Sequence, residues 1–187
     1  MRRLALAFLL MVLSLPVLGA ESGSDFTPLL AYIAAVKEGD TEKVRGHLEA
    51  GLDPNYVDSK GLTPILIASK NGRAGVVRLL LESRAIADMG DEGGNTALIW
   101  ASHLGYPAVV EILIEHKADI DIQNKQGLTA LMKAISAANR KAVDLLIEAE
   151  SDLEIQDYTG RSALDWAEEG RDRRIRNVVV NAVKNGG

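Results

Sequence analysis

The sequence reads as an all-α solenoid of five helix-turn-helix units joined by β-turn or hairpin-like loops. Three regularities carry that reading. Asp58-Ser-Lys-Gly61-Leu-Thr63, Asp91-Glu-Gly-Gly94-Asn-Thr96, Asn124-Lys-Gln-Gly127-Leu-Thr129 and Asp157-Tyr-Thr-Gly160-Arg-Ser162 are one pattern recurring every 33 residues. Ala68, Ala101, Ala134 and Ala167 follow in the same register. So do the apolar triplets Leu79-Leu80-Leu81, Ile112-Leu113-Ile114, Leu145-Leu146-Ile147 and Val178-Val179-Val180. A fixed period of this size marks stacked units that cannot bury their apolar faces alone.

From the front, Arg2 and Arg3 precede an apolar run from Leu4 to Leu13, then Pro16 and the small residues Gly19 and Ala20. This is the layout of a secretory signal peptide over residues 1–20, with the cut after Gly19 or Ala20. The run to Gly19 is short for a spanning helix and contains Ser14 and Pro16, so an uncleaved anchor is the competing outcome. The repeat domain then covers 21–187, with units at about 25–57, 58–90, 91–123, 124–156 and 157–187. The first unit is looser: Gly39 and Ala35 keep register, but Thr27-Pro28 lies three residues early. A capping unit with a longer first helix is expected there.

Within each unit the chemistry of every position follows. Asp58, Asp91, Asn124 and Asp157 can accept from backbone N–H groups just beyond them. Each is followed by a Gly suited to the positive φ of a tight turn. Thr63, Thr96, Thr129 and Ser162 then cap the first helix. In the third unit Leu98, Ala101, Ser102 and Gly105 form one stripe, small enough for the second helix to approach closely. The second helix presents Val109-Val110 and Ile112-Leu113-Ile114, a broad face that only a neighbouring unit can cover.

Composition narrows the function. With no cysteine among 187 residues, disulfides, thiol catalysis and Cys-ligated metals are out. A formal charge of −5, falling to −7 if Arg2 and Arg3 are removed, gives no general attraction to phosphate backbones. No nucleophile–base pair, phosphate loop or metal-ligand spacing is present, so neither enzyme nor cofactor is expected. His116 reads as solvated and without a second metal ligand at helical spacing. Asp119-Ile-Asp121 and Asp152-Leu-Glu154 lack the ligand pattern of a calcium loop and read as loop-ordering carboxylates. Arg171-Asp-Arg173-Arg174-Ile-Arg176 is a basic cluster, read as solubilising the outward face of the terminal unit or as docking on phosphate or an acidic partner.

These residues together resemble the ankyrin-repeat family. Its Thr-Pro-Leu-His start, small alanines, Gly and paired apolar positions stand here as Thr63-Pro64-Ile65-Leu66, Ala68, Gly72, Val76-Val77 and Leu79-Leu80. The family histidine is replaced by Leu66, Ile99, Met132 and Asp165, and its proline by Ala97, Ala130 and Ala163. Apolar packing therefore replaces histidine hydrogen bonding at three of the four sites. The resemblance implies a monomeric, non-enzymatic scaffold that grips a protein partner on its concave face, without nucleic acid and without membrane once the leader is gone. Ankyrin proteins with export signals are mostly bacterial. The implied place is thus the periplasm, or secretion beyond it, with roles such as protecting or restraining a co-exported enzyme or aiding stress defence.

On that footing the candidate contact residues fall in two groups. The turn tips offer Ser59, Lys60, Glu92, Asn95, Lys125, Gln126 and Tyr158, and the first-helix stripe offers Lys70, Asn71, Trp100, His103, Leu104 and Lys133. Trp100 and Trp166 each sit four after a helix cap. Trp100 either faces the groove beside Leu104 or packs sideways on the neighbouring first helix. If it faces the groove, its truncation should weaken partner binding far more than it weakens the fold.

Overall fold

The computed structural model describes residues 26–185, and the expected leader lies outside them. Ten helices follow in pairs among these residues: α1 Phe26–Glu38, α2 Thr41–Glu49, α3 Pro64–Lys70, α4 Ala74–Glu82, α5 Ala97–Leu104, α6 Pro107–Glu115, α7 Ala130–Ser136, α8 Arg140–Glu148, α9 Ala163–Glu169 and α10 Arg173–Asn185. The first helices α1, α3, α5, α7 and α9 contact one another in series and form an inner layer. The second helices α2, α4, α6, α8 and α10 form an outer one. The expected all-α solenoid is what the chain adopts, and α1 has 13 residues where α3 has seven.

The inner helices begin where hydroxyls cap them. Thr63, Thr96, Thr129 and Ser162 sit in extended backbone and accept from the N–H groups of Leu66, Ile99, Met132 and Asp165 at 3.3–3.4 Å. Leu66, Ile99 and Met132, standing where the family has histidine, are buried. Asp165 instead completes a capping box, accepting from the Ser162 N–H at 2.8 Å. The outer helices bury Val76, Val77 and Leu80, then Val109, Val110 and Leu113, then Val143 and Leu146, in one continuous core.

Three hydrogen-bonded or packed ladders hold the register of the stack. At the turn tips, Lys125 N–H donates to the Gly93 carbonyl at 2.9 Å and Tyr158 N–H to that of Gln126 at 3.2 Å. At the far ends of the outer helices, Asn55, Asp88 and Asp121 accept from the N–H groups of Ile86, Asp119 and Asp152 at 2.8–3.1 Å. This gives the Asp119-Ile-Asp121 segment the structural role expected of it. Burial pushes the Asp88 and Asp121 carboxyls above their ordinary range, with the adjacent Asp119 and Asp152 charges adding to the effect. Between the layers, Arg73 Nε donates to the Lys37 carbonyl at 2.8 Å, and Asn139 Nδ2 to those of Ser102 and His103 at 2.9 and 2.7 Å.

The first four units have left-handed backbone after their helices. After the inner helices it falls on Gly39, Gly72, Gly105 and Ala138, and after the outer ones on Gly51, Arg84, Lys117 and Glu150. Ala138, at φ 55°, holds the position that the three units before it give to glycine. Ala138→Gly is therefore expected to raise stability by about 1 kcal/mol, read as a higher denaturant midpoint. Leu113→Ala, at a fully buried site shared between units, should cost about 2–5 kcal/mol in the same unfolding measurement. A loss below about half a kcal/mol there would show that this face is not core.

Candidate protein-binding face

The site grows out of the turn carboxylates. Asp91 Oδ1 accepts from the N–H groups of Gly93 and Asn95, both at 2.9 Å, which fixes the turn. Its other oxygen, Oδ2, accepts from Trp100 Nε1 at 2.7 Å. The fifth unit repeats the geometry: Asp157 Oδ1 accepts from Thr159 and Arg161 N–H, and Oδ2 accepts from Trp166 Nε1 at 3.0 Å. Each indole is thus moored to its own turn across nine residues. The spacing Asp91–Trp100 and Asp157–Trp166 was visible in the sequence, and it was the one available signal for this pairing. Units with Ile67 or Lys133 at that place have no indole to moor.

Trp100 sits between the core and Lys70 of the neighbouring inner helix. The ring is half-buried and packs on the core, and it also carries a cationic and aromatic cluster. Lys70 Nζ lies 4.0 Å from the ring centroid, and the His103 ring meets it edge-on at 6.2 Å. Leu104, 41% exposed, is the next apolar group on that helix. Burial, and then the Lys133 charge, hold His103 below the ordinary histidine pKa, which favours the uncharged ring. Because its N–H anchors a turn, truncating Trp100 costs fold stability as well.

The other candidates divide. Ser59, Lys60, Glu92, Lys125, Gln126 and Tyr158 are exposed at the turn tips, Tyr158 at 71%. Asn95 is withdrawn from the contact set. Its amide donates to Asp91 Oδ1 at 3.0 Å and its Oδ1 accepts from Asn124 Nδ2 at 2.8 Å, so both ends are committed to the ladder. Asn71 is exposed but donates to the Ile67 carbonyl at 2.7 Å. Lys133 is half-buried beside His103. Ile67, at the register position of Trp100, is buried, whereas Asn71 one turn on is exposed. His116 is half-buried rather than solvated, with Nδ1 2.9 Å from the Ile112 carbonyl. Among the described residues, no cluster of three or more His, Asp or Glu is placed to hold a metal ion. No helix among them is long and apolar enough to cross a membrane.

A stack of helix pairs with polar turn tips and an aromatic–cationic inner face defines a repeat scaffold for protein–protein interaction. The chain belongs to the ankyrin-repeat family: a family model described as ankyrin repeats (3 copies) matches residues 32–124 and 117–184. Such repeats are generally non-enzymatic modules that bind protein partners. No curated protein matches the chain significantly.

The moored carboxylate makes an acid-side prediction. Burial alone would raise the Asp157 pKa, but bonds from the Thr159 hydroxyl, the Arg161 and Thr159 N–H groups and the Trp166 indole outweigh it and hold it well below the ordinary range. A depressed folded-state pKa stabilises fully above the unfolded value and is lost as pH falls below about 4. Asp157→Asn should therefore be less stable than wild type at neutral pH. It should also lose less on acidification, as seen in melts taken from pH 6 downward.

Proposed function

We propose that this protein is an exported scaffold that binds a partner protein across its inner-helix face and works by occupancy, protecting, inhibiting or localising a co-exported enzyme or serving stress defence. The observation that carries the binding reading is the cluster of Lys70, Trp100, His103 and Leu104. It combines a rigid aromatic body, a cation and an exposed leucine on helices whose other faces are already packed. Hot spots at protein interfaces concentrate on such aromatic anchors. Export to the periplasm is supported by Arg2, Arg3, the apolar run Leu4 to Leu13 and the small residues at 19 and 20.

A photo-cross-linker placed at Leu104 in the producing cells should capture a discrete partner, while one at the exposed outer-helix residue Glu111 should not. Equal yields from both would sink the assignment of the face. The N-terminus of the recovered protein reports on export. Ala20 or Glu21 means a released form, and Met1 means a tethered one.

Calorimetric titration of that partner should show Trp100→Ala weakening binding by about 2 kcal/mol or more. Trp100→Phe keeps the ring but loses the bond to Asp91. It should cost about 1 kcal/mol of fold stability with a smaller effect on the partner.

A further inference from the structure

The junction between the fourth and fifth units departs from those before it. Residues 40, 73, 106, 139 and 172 share one register position, at the start of each outer helix. Arg73 and Asn139 reach back from it to carbonyls of the preceding inner helix, and Tyr106 lies close against Gly72. Asp172 has no proton to offer a carbonyl. It turns forward instead and accepts from the N–H groups of Arg174 and Ile175 at 2.8 and 3.3 Å. The backbone changes as well. α9 ends on Gly170 in extended conformation, φ −67° and ψ 153°, and Arg171, at the register position of left-handed Gly105 and Ala138, does not take up positive φ.

The missing link leaves an open cleft of about 810 Å³ between α7 and the α9–α10 connection, lined by Ile135, Trp166, Arg171, Arg173 and Arg174 among others. Its two carboxylates are already occupied: Glu169 pairs with Arg161 at 3.2 Å and Asp172 caps α10. Arg171, Arg173 and Arg174 make no ion pair among the described residues. Arg173 and Arg174 also stand in the first turn of α10, where the helix dipole disfavours cations. α8 likewise opens on Arg140 and Lys141, but Asp144 answers Arg140 at 3.5 Å. Nothing internal answers the three arginines of the cleft, and an anion placed there would gain from both the guanidinium groups and the helix end.

We propose that this cleft takes an acidic, partly apolar segment of a partner protein, its carboxylates on Arg171, Arg173 and Arg174 and an apolar side chain between Ile135 and Trp166. The inference rests on the partner-binding reading above and adds the partner's chemistry. Trp166 and Ser136 hold the register positions of Trp100 and His103, so a chain lying along the inner face runs on into the cleft. A local cationic notch in a chain of net charge −5 suits a short acidic segment better than an extended polyanion.

The test uses the full chain and a fluorescein-labelled octapeptide, Glu-Asp-Phe-Glu-Asp-Leu-Glu-Asp, followed by anisotropy. The peptide should saturate, bind more weakly as salt rises, and lose about tenfold or more in affinity when its acids become Gln and Asn. The combined variant Arg171→Gln, Arg173→Gln and Arg174→Gln should lose about as much while its melting temperature holds, since all three side chains are exposed. In a Trp100→Phe background Trp166 is the sole tryptophan, and its emission should change on binding.

No saturation, equal affinity in the triple variant, or equal affinity for the neutral peptide would overturn the proposal. So would displacement by millimolar inorganic phosphate, which would make the cleft a small-anion site, or preferential binding to anionic vesicles. A Leu104 cross-link that persists unchanged in the triple variant would overturn this inference and leave the wider partner-binding reading standing. Loss of the Leu104 cross-link from wild type, with the peptide still bound, would do the reverse.

Discussion

The architecture depends on one constraint: no helix pair here can bury its own apolar face. Leu80, Leu113 and Leu146 are each buried, in outer helices that pack against their neighbours, so every unit draws its stability from the units beside it. That requirement fixes the spacing of the stack, and the spacing fixes everything polar. Once the pairs stack, the turn tips come within hydrogen-bonding reach of one another and the inner helices form one continuous surface. The inner-helix face is thus a by-product of how the core is shared.

Polar ladders convert that stacking into a defined register. The dry seam alone would tolerate some sliding, because apolar contact is non-directional. Asn55, Asp88 and Asp121 each accept from a backbone N–H of the following unit, and Asn139 grips two carbonyls of the preceding one. Acceptors in the first set are accordingly short carboxylates and an amide, and the links work only at one offset. Where the residue type changes, as at Asp172, the link is lost and the surface opens. Local variation within a repeat array therefore does more than decorate it.

The two tryptophans show how fold and site share groups. Each indole N–H satisfies a turn carboxylate, while the ring face remains available to a cation: Lys70 over Trp100 and Arg161 over Trp166, both near 4 Å. Mooring one edge of a large ring limits the rotamers it can adopt. The same mooring ties the anchor to the stability of the turn.

Much of this was written in the one-dimensional pattern, because a period of 33 is a statement about neighbours in space as well as in sequence. Helix starts at Thr63, Thr96, Thr129 and Ser162, the turns at Asp58, Asp91, Asn124 and Asp157, and the apolar triplets, each with its middle residue buried, were all legible, since local capping and periodic burial decide them. What a side chain does between units was not. Asn95 read as an exposed turn tip and is half-buried, held by Asp91 and Asn124. Arg171, Arg173 and Arg174 read as solvated charge or as a docking patch, and they line a cleft beside Asp172, which caps forward instead of reaching back. Periodicity determines which elements form and in what order they stack. Only the tertiary structure decides which polar groups find partners across the seam, because those partners lie about one repeat away and are chosen by geometry rather than by residue type.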